Sequence, residues 1–125
     1  MAMALDTILL VDDDLDMLSI LGAMLNKFPQ NIITALSGTR ALEILKSDVP
    51  ALIITDMVMP DIGGSEILRF VRSEPRLKTT KVVLMSSMMK YITEDDKAKA
   101  DKVMIKPIKK ADLEAVIREL LPMTQ

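Results

Sequence analysis

The sequence predicts a doubly wound α/β fold: five parallel strands in the order 2-1-3-4-5, with helices on both faces. Three observations carry this expectation. Five short runs rich in Ile, Leu and Val recur along the chain, each bounded by polar residues or proline. Their starts lie roughly 20 to 30 residues apart, too far for hairpins and suited to crossover helices between parallel strands. Four of the five runs end in residues of one chemical set. Ile8–Val11 leads into Asp12-Asp13-Asp14, Leu52–Thr55 into Asp56, Val82–Met85 into Ser86-Ser87, and Val103–Ile105 into Lys106-Pro107.

The expected strands are Thr7–Val11, Asn31–Ala35, Ala51–Thr55, Lys81–Met85 and Lys102–Ile105. Between the first two, Leu15, Leu18, Leu21, Leu25 and Phe28 form an apolar stripe at near-helical spacing. Asp14 caps that helix and Pro29 stops it. Ser37 caps a second helix carrying Ala41, Leu42 and Leu45. Gly63-Gly64-Ser65 opens a third, with Ile67, Leu68 and Val71 inward and Pro75 at its close. The segment Thr93-Glu94-Asp95-Asp96-Lys97-Ala98-Lys99 has almost no apolar stripe, so the fourth helix is expected to be short, frayed or mobile. Asp112 lies near the start of the fifth, whose inner face is Leu113, Val116, Ile117 and Leu120.

Composition excludes several function classes. The 125 residues suit one domain, spanning 1–125 with a core from about 7 to 120. Half of the residues are hydrophobic, yet no stretch approaches the ~18 consecutive apolar residues of a membrane span. Met1–Asp6 has no basic region and carries an early acid, so no secretory signal is expected and the cytoplasm is the expected location. The chain ends just after the last helix, so no attached effector domain is expected within it. The absence of cysteine excludes disulfides and thiolate metal sites. The absence of histidine excludes histidine metal sites, serine–histidine triads and a phosphohistidine carrier role. A net charge of −2, with 16 bases and 18 acids interspersed, gives no basic patch for nucleic acid. Eleven methionines and three aromatics imply an adaptable core with few large anchors.

Doubly wound sheets place their sites beyond the carboxyl ends of the strands, where strand order reverses. Here that point lies between the first and third strands, which end in Asp12-Asp13 and Asp56. Three carboxylates crowded together repel one another and favour a hard cation with oxygen ligands, Mg²⁺ or Mn²⁺. The cation would leave one carboxylate able to attack a phosphoryl group. Lys106 would neutralise a phosphoryl oxygen and Ser86 hydrogen-bond another.

This ordered set resembles the receiver domain of two-component response regulators. Asp12-Asp13, Asp56 within Thr55-Asp56-Met57-Val58-Met59-Pro60 with Gly64 downstream, Ser86 and Lys106-Pro107 carry the resemblance, which runs from about Thr7 to Leu120. It implies a flavodoxin-like (βα)5 fold, with Asp56 as phosphoacceptor and Asp13, Asp56 and the Val58 backbone carbonyl as direct Mg²⁺ ligands. Asp12 would assist through water, Ser86 would be the switch hydroxyl, Lys106 the phosphoryl contact, and Lys106-Pro107 a cis peptide. The implied donor is a phosphohistidine on a sensor histidine kinase or a histidine phosphotransfer protein. The implied recipient of the signal is a downstream effector domain or protein. No direct nucleic-acid or membrane contact is implied, and a monomer or weak dimer is expected. Such a domain is a signalling module that catalyses only its own phosphorylation and slow dephosphorylation.

The sequence departs from that family's pattern in three places. Val103 stands where an aromatic ring is usual, three residues before the lysine. The fourth helix is polar and is followed by Lys99-Ala100-Asp101 without the usual glycine. Val58 and Met88, two residues beyond Asp56 and Ser86, are apolar where the family orients or excludes hydrolytic water. Two other readings stay open. Val103 and the polar helix are consistent with a phosphorylation-independent interaction domain. Asp12-x-Asp14 with a later serine and lysine echoes the haloacid dehalogenase phosphohydrolases, although the paired acids of their last motif are missing at Met104-Ile105-Lys106-Pro107. Met85, Met88 and Met89 read as core and rim packing, Lys109-Lys110 as a solvated helix start, and Asp61 as a loop cap or a solvated loop acid.

Overall fold

The structure, a computed structural model, describes residues 7–121. The expectations drawn from Met1–Asp6 and the outer limits of the expected domain lie outside the described residues. The elements are β1 (Thr7–Val11), α1 (Leu15–Met24), β2 (Asn31–Ala35), α2 (Gly38–Leu45), β3 (Leu52–Asp56), α3 (Gly64–Ser73), β4 (Lys81–Ser86), α4 (Glu94–Lys99), β5 (Lys102–Ile105) and α5 (Lys110–Leu120). Short 3-10 turns at Pro75–Leu77 and Met89–Tyr91 precede β4 and α4. The sheet order is β2-β1-β3-β4-β5, with every pairing parallel, as the sequence predicts.

All-parallel sheets survive only when both faces are covered. Alternation along each strand accomplishes this. Ile8 and Leu10 of β1 face Leu18, Leu21 and Leu25 of α1 and Leu113, Val116 and Ile117 of α5. Leu9 and Val11 face the opposite layer, with Ala41, Ile44 and Leu45 of α2 and Ile67, Leu68 and Val71 of α3. Two apolar clusters therefore sandwich the sheet. Removing Ile8, Leu9, Leu10, Ile53 and Ile54 completely from water drives the fold, because transfer of each large aliphatic side chain is worth about 1.5–3 kcal/mol.

Several boundaries differ from the sequence expectation. β3 and β4 extend one residue further, to Asp56 and Ser86, because the ladder continues as Asp56↔Met85 and Ser86↔Ile105. Asp56 and Ser86 are thus the last residues of their strands. Asp14 caps α1, its side chain accepting from the Asp16 amide, and Ser37 caps α2 in the same way through the Arg40 amide. Leu15 does not belong to the inner stripe of α1. It is 62% exposed and stands among Asp13, Asp14 and Asp16, all exposed, in the first turn beyond the strand layer. α1 ends at Met24, before the proline expected to stop it, and α3 ends at Ser73, with Pro75 opening the following 3-10 turn. α5 begins at Lys110 behind Lys109, which makes no side-chain cap bond.

α4 is six residues long, short as expected. A capping box starts it, with the Thr93 hydroxyl accepting from the Asp96 amide and the Asp96 carboxylate accepting from the Thr93 amide, each at 3.0 Å. Asp96 is 2% exposed and also accepts from the Ser65 hydroxyl of α3 at 2.7 Å. The helix is held by this polar anchor where the sequence offers no apolar stripe.

The two faces and the misread stripe can be checked together. Ile54→Ala should cost about 2–5 kcal/mol by urea denaturation followed by circular dichroism, whereas Leu15→Ala should stay within about 0.5 kcal/mol. A costly Leu15→Ala would return that residue to the core.

Candidate functional site

Strand order fixes the site. β1 lies between β2 and β3, so the chain reverses direction across the sheet at β1/β3, where β1 runs into Asp12 and β3 ends in Asp56. The turn after β1 is tight: the Asp12 amide donates to the Ala35 carbonyl at 3.2 Å, and the Asp12 Oδ1 accepts from the Asp14 amide at 3.0 Å. Those two bonds aim Oδ2 away from the turn. On β3, Asp56 Oδ1 accepts from the Met57 amide at 3.0 Å, and that amide also donates to the Met85 carbonyl at 2.8 Å. The β3 turn needs glycine at position 64, because a Cβ there would stand 2.7 Å from the Asp56 carbonyl oxygen.

Lys106 reaches the same point from β5. Its amide donates to the Ser86 carbonyl at 2.8 Å, extending the β4–β5 pairing by one bond, and its peptide to Pro107 is cis, as the sequence predicts. Its Nζ lies 3.2 Å from Asp12 Oδ2 and 3.3 Å from Asp56 Oδ1. Asp12 is 1% exposed and Asp56 9%. Asp13 is exposed on the rim, yet Asp12, Asp13 and Asp56 can each offer a carboxylate oxygen within 4.8 Å of the other two. The three acids and the lysine predicted to meet therefore do meet.

Ser86 sits at the same edge, 1% exposed, but its hydroxyl turns to its own loop. It donates to the Met88 carbonyl at 2.8 Å, and its oxygen lies 3.2 Å from the Met88 amide that donates to it. Val58 and Met88 are 58% and 49% exposed. Val103 is half-buried and packs against the α2–α3 side of the core.

Electrostatics follow from the geometry. Burial pushes the Asp56 carboxyl above its ordinary value; the Lys106 ammonium opposes that rise, while the Asp12 carboxylate adds to it. Lys106 is itself held above its ordinary value. Desolvation works against its charge, but the pull of Asp56 and Asp12 wins. One ammonium against three carboxylates leaves a local excess of negative charge. An oxygen-only donor set of this kind suits a hard divalent cation that keeps several waters, so the residues present fit Mg²⁺.

The family model of the response regulator receiver domain matches residues 8–118. The chain belongs to that family. This receiver domain is 32% identical to the two-component response regulator ORR3 of Oryza sativa subsp. indica, the match covering 91% of this chain and 89% of that one. It is 30% identical to the "Probable transcriptional regulator ycf27" of Cyanophora paradoxa over 94% of this chain, and spans about half the length, 49%, of that relative. Among solved structures, the response regulator protein TrrA of Thermotoga maritima, in complex with Mg²⁺ and BeF, superposes with a TM-score of 0.83 at 29% identity, covering 92% of this chain and 98% of that one. A CheY-like receiver domain from Methylobacillus flagellatus superposes with a TM-score of 0.84 at 24% identity, covering 91% and 97%, and shares the fold.

Two contacts around the site escape a reading of the sequence. Asp61 reaches across to α2, and Asp96 to Ser65; both partners are remote in sequence, so no local pattern announces them.

The Lys106 contribution can be isolated by carboxyl-carbon NMR. The Asp56 titration midpoint should lie above the ordinary aspartate value in the wild type and move higher in Lys106→Met, since the substitution removes an opposing charge. A midpoint that stays put or falls would show that Lys106 does not govern this carboxylate.

Proposed function

We propose that this receiver domain takes a phosphoryl group on Asp56 in a Mg²⁺-dependent reaction and thereby switches a partner-binding surface. The observation that carries the reading is the position of Asp56 between Asp12, Asp13 and Lys106 at the sheet's switch point. The TrrA complex with Mg²⁺ and BeF, at 29% identity, supports the same chemistry.

In this reading Asp13, Asp56 and the Val58 carbonyl hold the cation directly and Asp12 holds it through water. Mg²⁺, or Mn²⁺, when bound supplies positive charge that offsets the acids and the incoming phosphoryl oxygens. Asp56 Oδ1 is engaged by the Met57 amide and Lys106, so Oδ2 is the oxygen offered to phosphorus. Its lone pair forms the O–P bond as the N–P bond of a phosphohistidine breaks, with the electron pair leaving on the imidazole. Lys106 then pairs with a phosphoryl oxygen. The Ser86 hydroxyl reaches another only by leaving Met88, so occupancy of Asp56 pulls on the segment that leads into α4. Val103 supplies no ring for that coupling; the hydroxyl and its loop carry it. The drive is electrostatic, a single carboxylate charge becoming an acyl phosphate of about −2.

The donor in this reading is a sensor histidine kinase or a histidine phosphotransfer protein, and the output goes to an effector domain or protein. The chain acts as one cytoplasmic domain, core about 7–120, turning over only its own phosphoryl group. Among the described residues no helix is long and apolar enough to cross a membrane. The complete acid–lysine set supports this reading over a phosphorylation-independent one, and the greater exposure of Asp56 relative to Asp12 supports it over a phosphohydrolase with Asp12 as nucleophile.

Incubation with Mg²⁺ and acetyl phosphate should add one phosphoryl group by intact mass, with none added in Asp56→Asn or in excess chelator. Phosphate on the Asp56→Asn protein would overturn the assignment. The exposed apolar side chains of Val58 and Met88 cannot hold a water for attack on the acyl phosphate, so phosphoryl loss should be slow. The double substitution Val58→Asn with Met88→Glu should shorten the phosphoryl lifetime by about tenfold, equivalent to about 1.4 kcal/mol of barrier. An unchanged or longer lifetime would reject that role.

A further inference from the structure

The loop joining β3 to α3 carries the Val58 carbonyl and leaves directly from Asp56, so whatever fixes this loop fixes two of the proposed cation ligands. At its start the loop is pinned by the sheet. The Met57 amide bonds the Met85 carbonyl, and the Met57 carbonyl accepts from the Gly64 amide at 3.0 Å. That leaves residues 58–63 as a span with both ends closed on Met57 and no strand partner in between.

The middle of the span is held from another element. Asp61 Oδ2 accepts from the Thr39 hydroxyl at 2.6 Å and from the Thr39 amide at 2.9 Å, and Oδ1 lies 3.4 Å from the Gly38 amide. Those amides belong to the first turn of α2, where unpaired N–H groups and the helix dipole favour an anion. The hydroxyl and amide bonds from Thr39 hold the Asp61 carboxyl well below the usual carboxylate range, so it is charged under all ordinary conditions. Backbone contact completes the junction. A Cβ on Gly38 would collide with the Ile62 carbonyl oxygen, so the start of α2 is pressed against the residue next to Asp61.

We propose that Asp61 is a positioning residue for the phosphorylation site: by anchoring the β3–α3 loop to Thr39 and Gly38 of α2, it sets where the Val58 carbonyl is presented to the cation. Asp61 touches neither the cation ligands nor the phosphoryl group. It acts through Met59 and Pro60, the two loop residues between it and Val58, and the proposal rests on the Asp56-centred function above. The anchor comes from α2, on the opposite face of the sheet from α1 and α5, which makes cation affinity depend on an element that contributes no ligand.

The test compares Asp61→Ala, Asp61→Asn, Thr39→Val and Thr80→Ala in the full chain. Thr80 bonds the Pro50 carbonyl at 2.7 Å at the far end of β4 and serves as a control for general loosening. Mg²⁺ affinity is measured by calorimetry with the metal alone. Amide exchange at Gly63 and Gly64 is measured without metal. Asp61→Ala should weaken Mg²⁺ binding by about tenfold, the usual scale for losing a group that orients a ligand, and should raise loop exchange. The maximal phosphorylation rate at saturating Mg²⁺ should hold. Asp61→Asn keeps an acceptor for Thr39 and should recover most of the affinity; Thr39→Val should show a smaller loss in the same direction. Unchanged Mg²⁺ affinity in Asp61→Ala, or a loss no greater than that of Thr80→Ala, would overturn the proposal while the wild type still gains its phosphoryl group. A wild type that binds no Mg²⁺ would sink the functional reading and this one with it, whereas unaltered loop exchange in Asp61→Ala would remove the anchor alone.

Discussion

Two nearly buried carboxylates, Asp12 and Asp56, share one ammonium, and that shared contact governs what the surrounding structure must provide. Taking carboxylates out of water is costly unless each finds charge and hydrogen bonds to replace its hydration. Lys106 Nζ sits 3.2 and 3.3 Å from the two acids, and a backbone amide supplies each with a further bond. Desolvation still prevails at Asp56, whose carboxyl stays above its ordinary value. With Asp13 at the rim the acids outnumber the lysine three to one. A pocket built this way is stable enough to fold and still under-neutralised, which is the condition for taking up a divalent cation. Strand geometry makes this possible. Three residues far apart in sequence arrive within a few ångströms because β1, β3 and β5 run parallel and end at one edge.

Rigidity of the sheet is what turns those contacts into a site. β1, β3 and β4 are buried on both faces between two apolar clusters, so their ends are fixed in position. The loops then divide the work. The β1 turn fixes Asp12, Asp61 ties the β3–α3 loop to α2, and the β4–α4 segment holds Ser86 through Met88. The division between sheet and loops is not absolute: Asp56 and Ser86 are polar last residues of β3 and β4, and Met57 and Met59 carry the α2–α3 side of the core into the loop beyond β3.

Much of this was legible before any coordinates. Apolar runs mark strands that are buried on both faces, and the recurrence of polar residues of one chemical set at the ends of four such runs marks the site edge. The strand limits were off by one at Asp56 and Ser86 because ladder hydrogen bonds are made by backbone, and continue under polar side chains that a hydropathy pattern reads as loop. Leu15 was misplaced because spacing alone does not reveal that the first turn of α1 overhangs the sheet. Asp61 was read as a loop cap or a solvated loop acid and Asp96 was not singled out, since the groups that hold them, Thr39 and Ser65, are 22 and 31 residues away. Periodicity reports which face of an element is apolar; it carries no information on which remote donor a lone carboxylate will find.

The attachment of α4 shows what such polar contacts do that apolar ones do not. Asp96 is buried, which raises its carboxyl, yet bonds from the Thr93 amide, the Ser65 hydroxyl and the Thr93 hydroxyl, with the Arg69 charge, leave it below its ordinary value. Further along, Arg72 of α3 donates through Nε to the Lys99 carbonyl at 2.9 Å and through Nη2 to Asp101 at 2.7 Å. Asp101 also accepts from the Val82 amide at 2.8 Å. Both ends of α4 are therefore tied to α3, which starts eight residues after Asp56. Apolar faces tolerate sliding, because burial is non-directional. Hydrogen bonds weaken steeply once length and angle are lost. A six-residue helix held by a few directional bonds has few positions in which those bonds are all made. Its place beside α3 is defined by chemistry at two points, and a pull through Met88 on the segment leading into α4 has to act against those bonds.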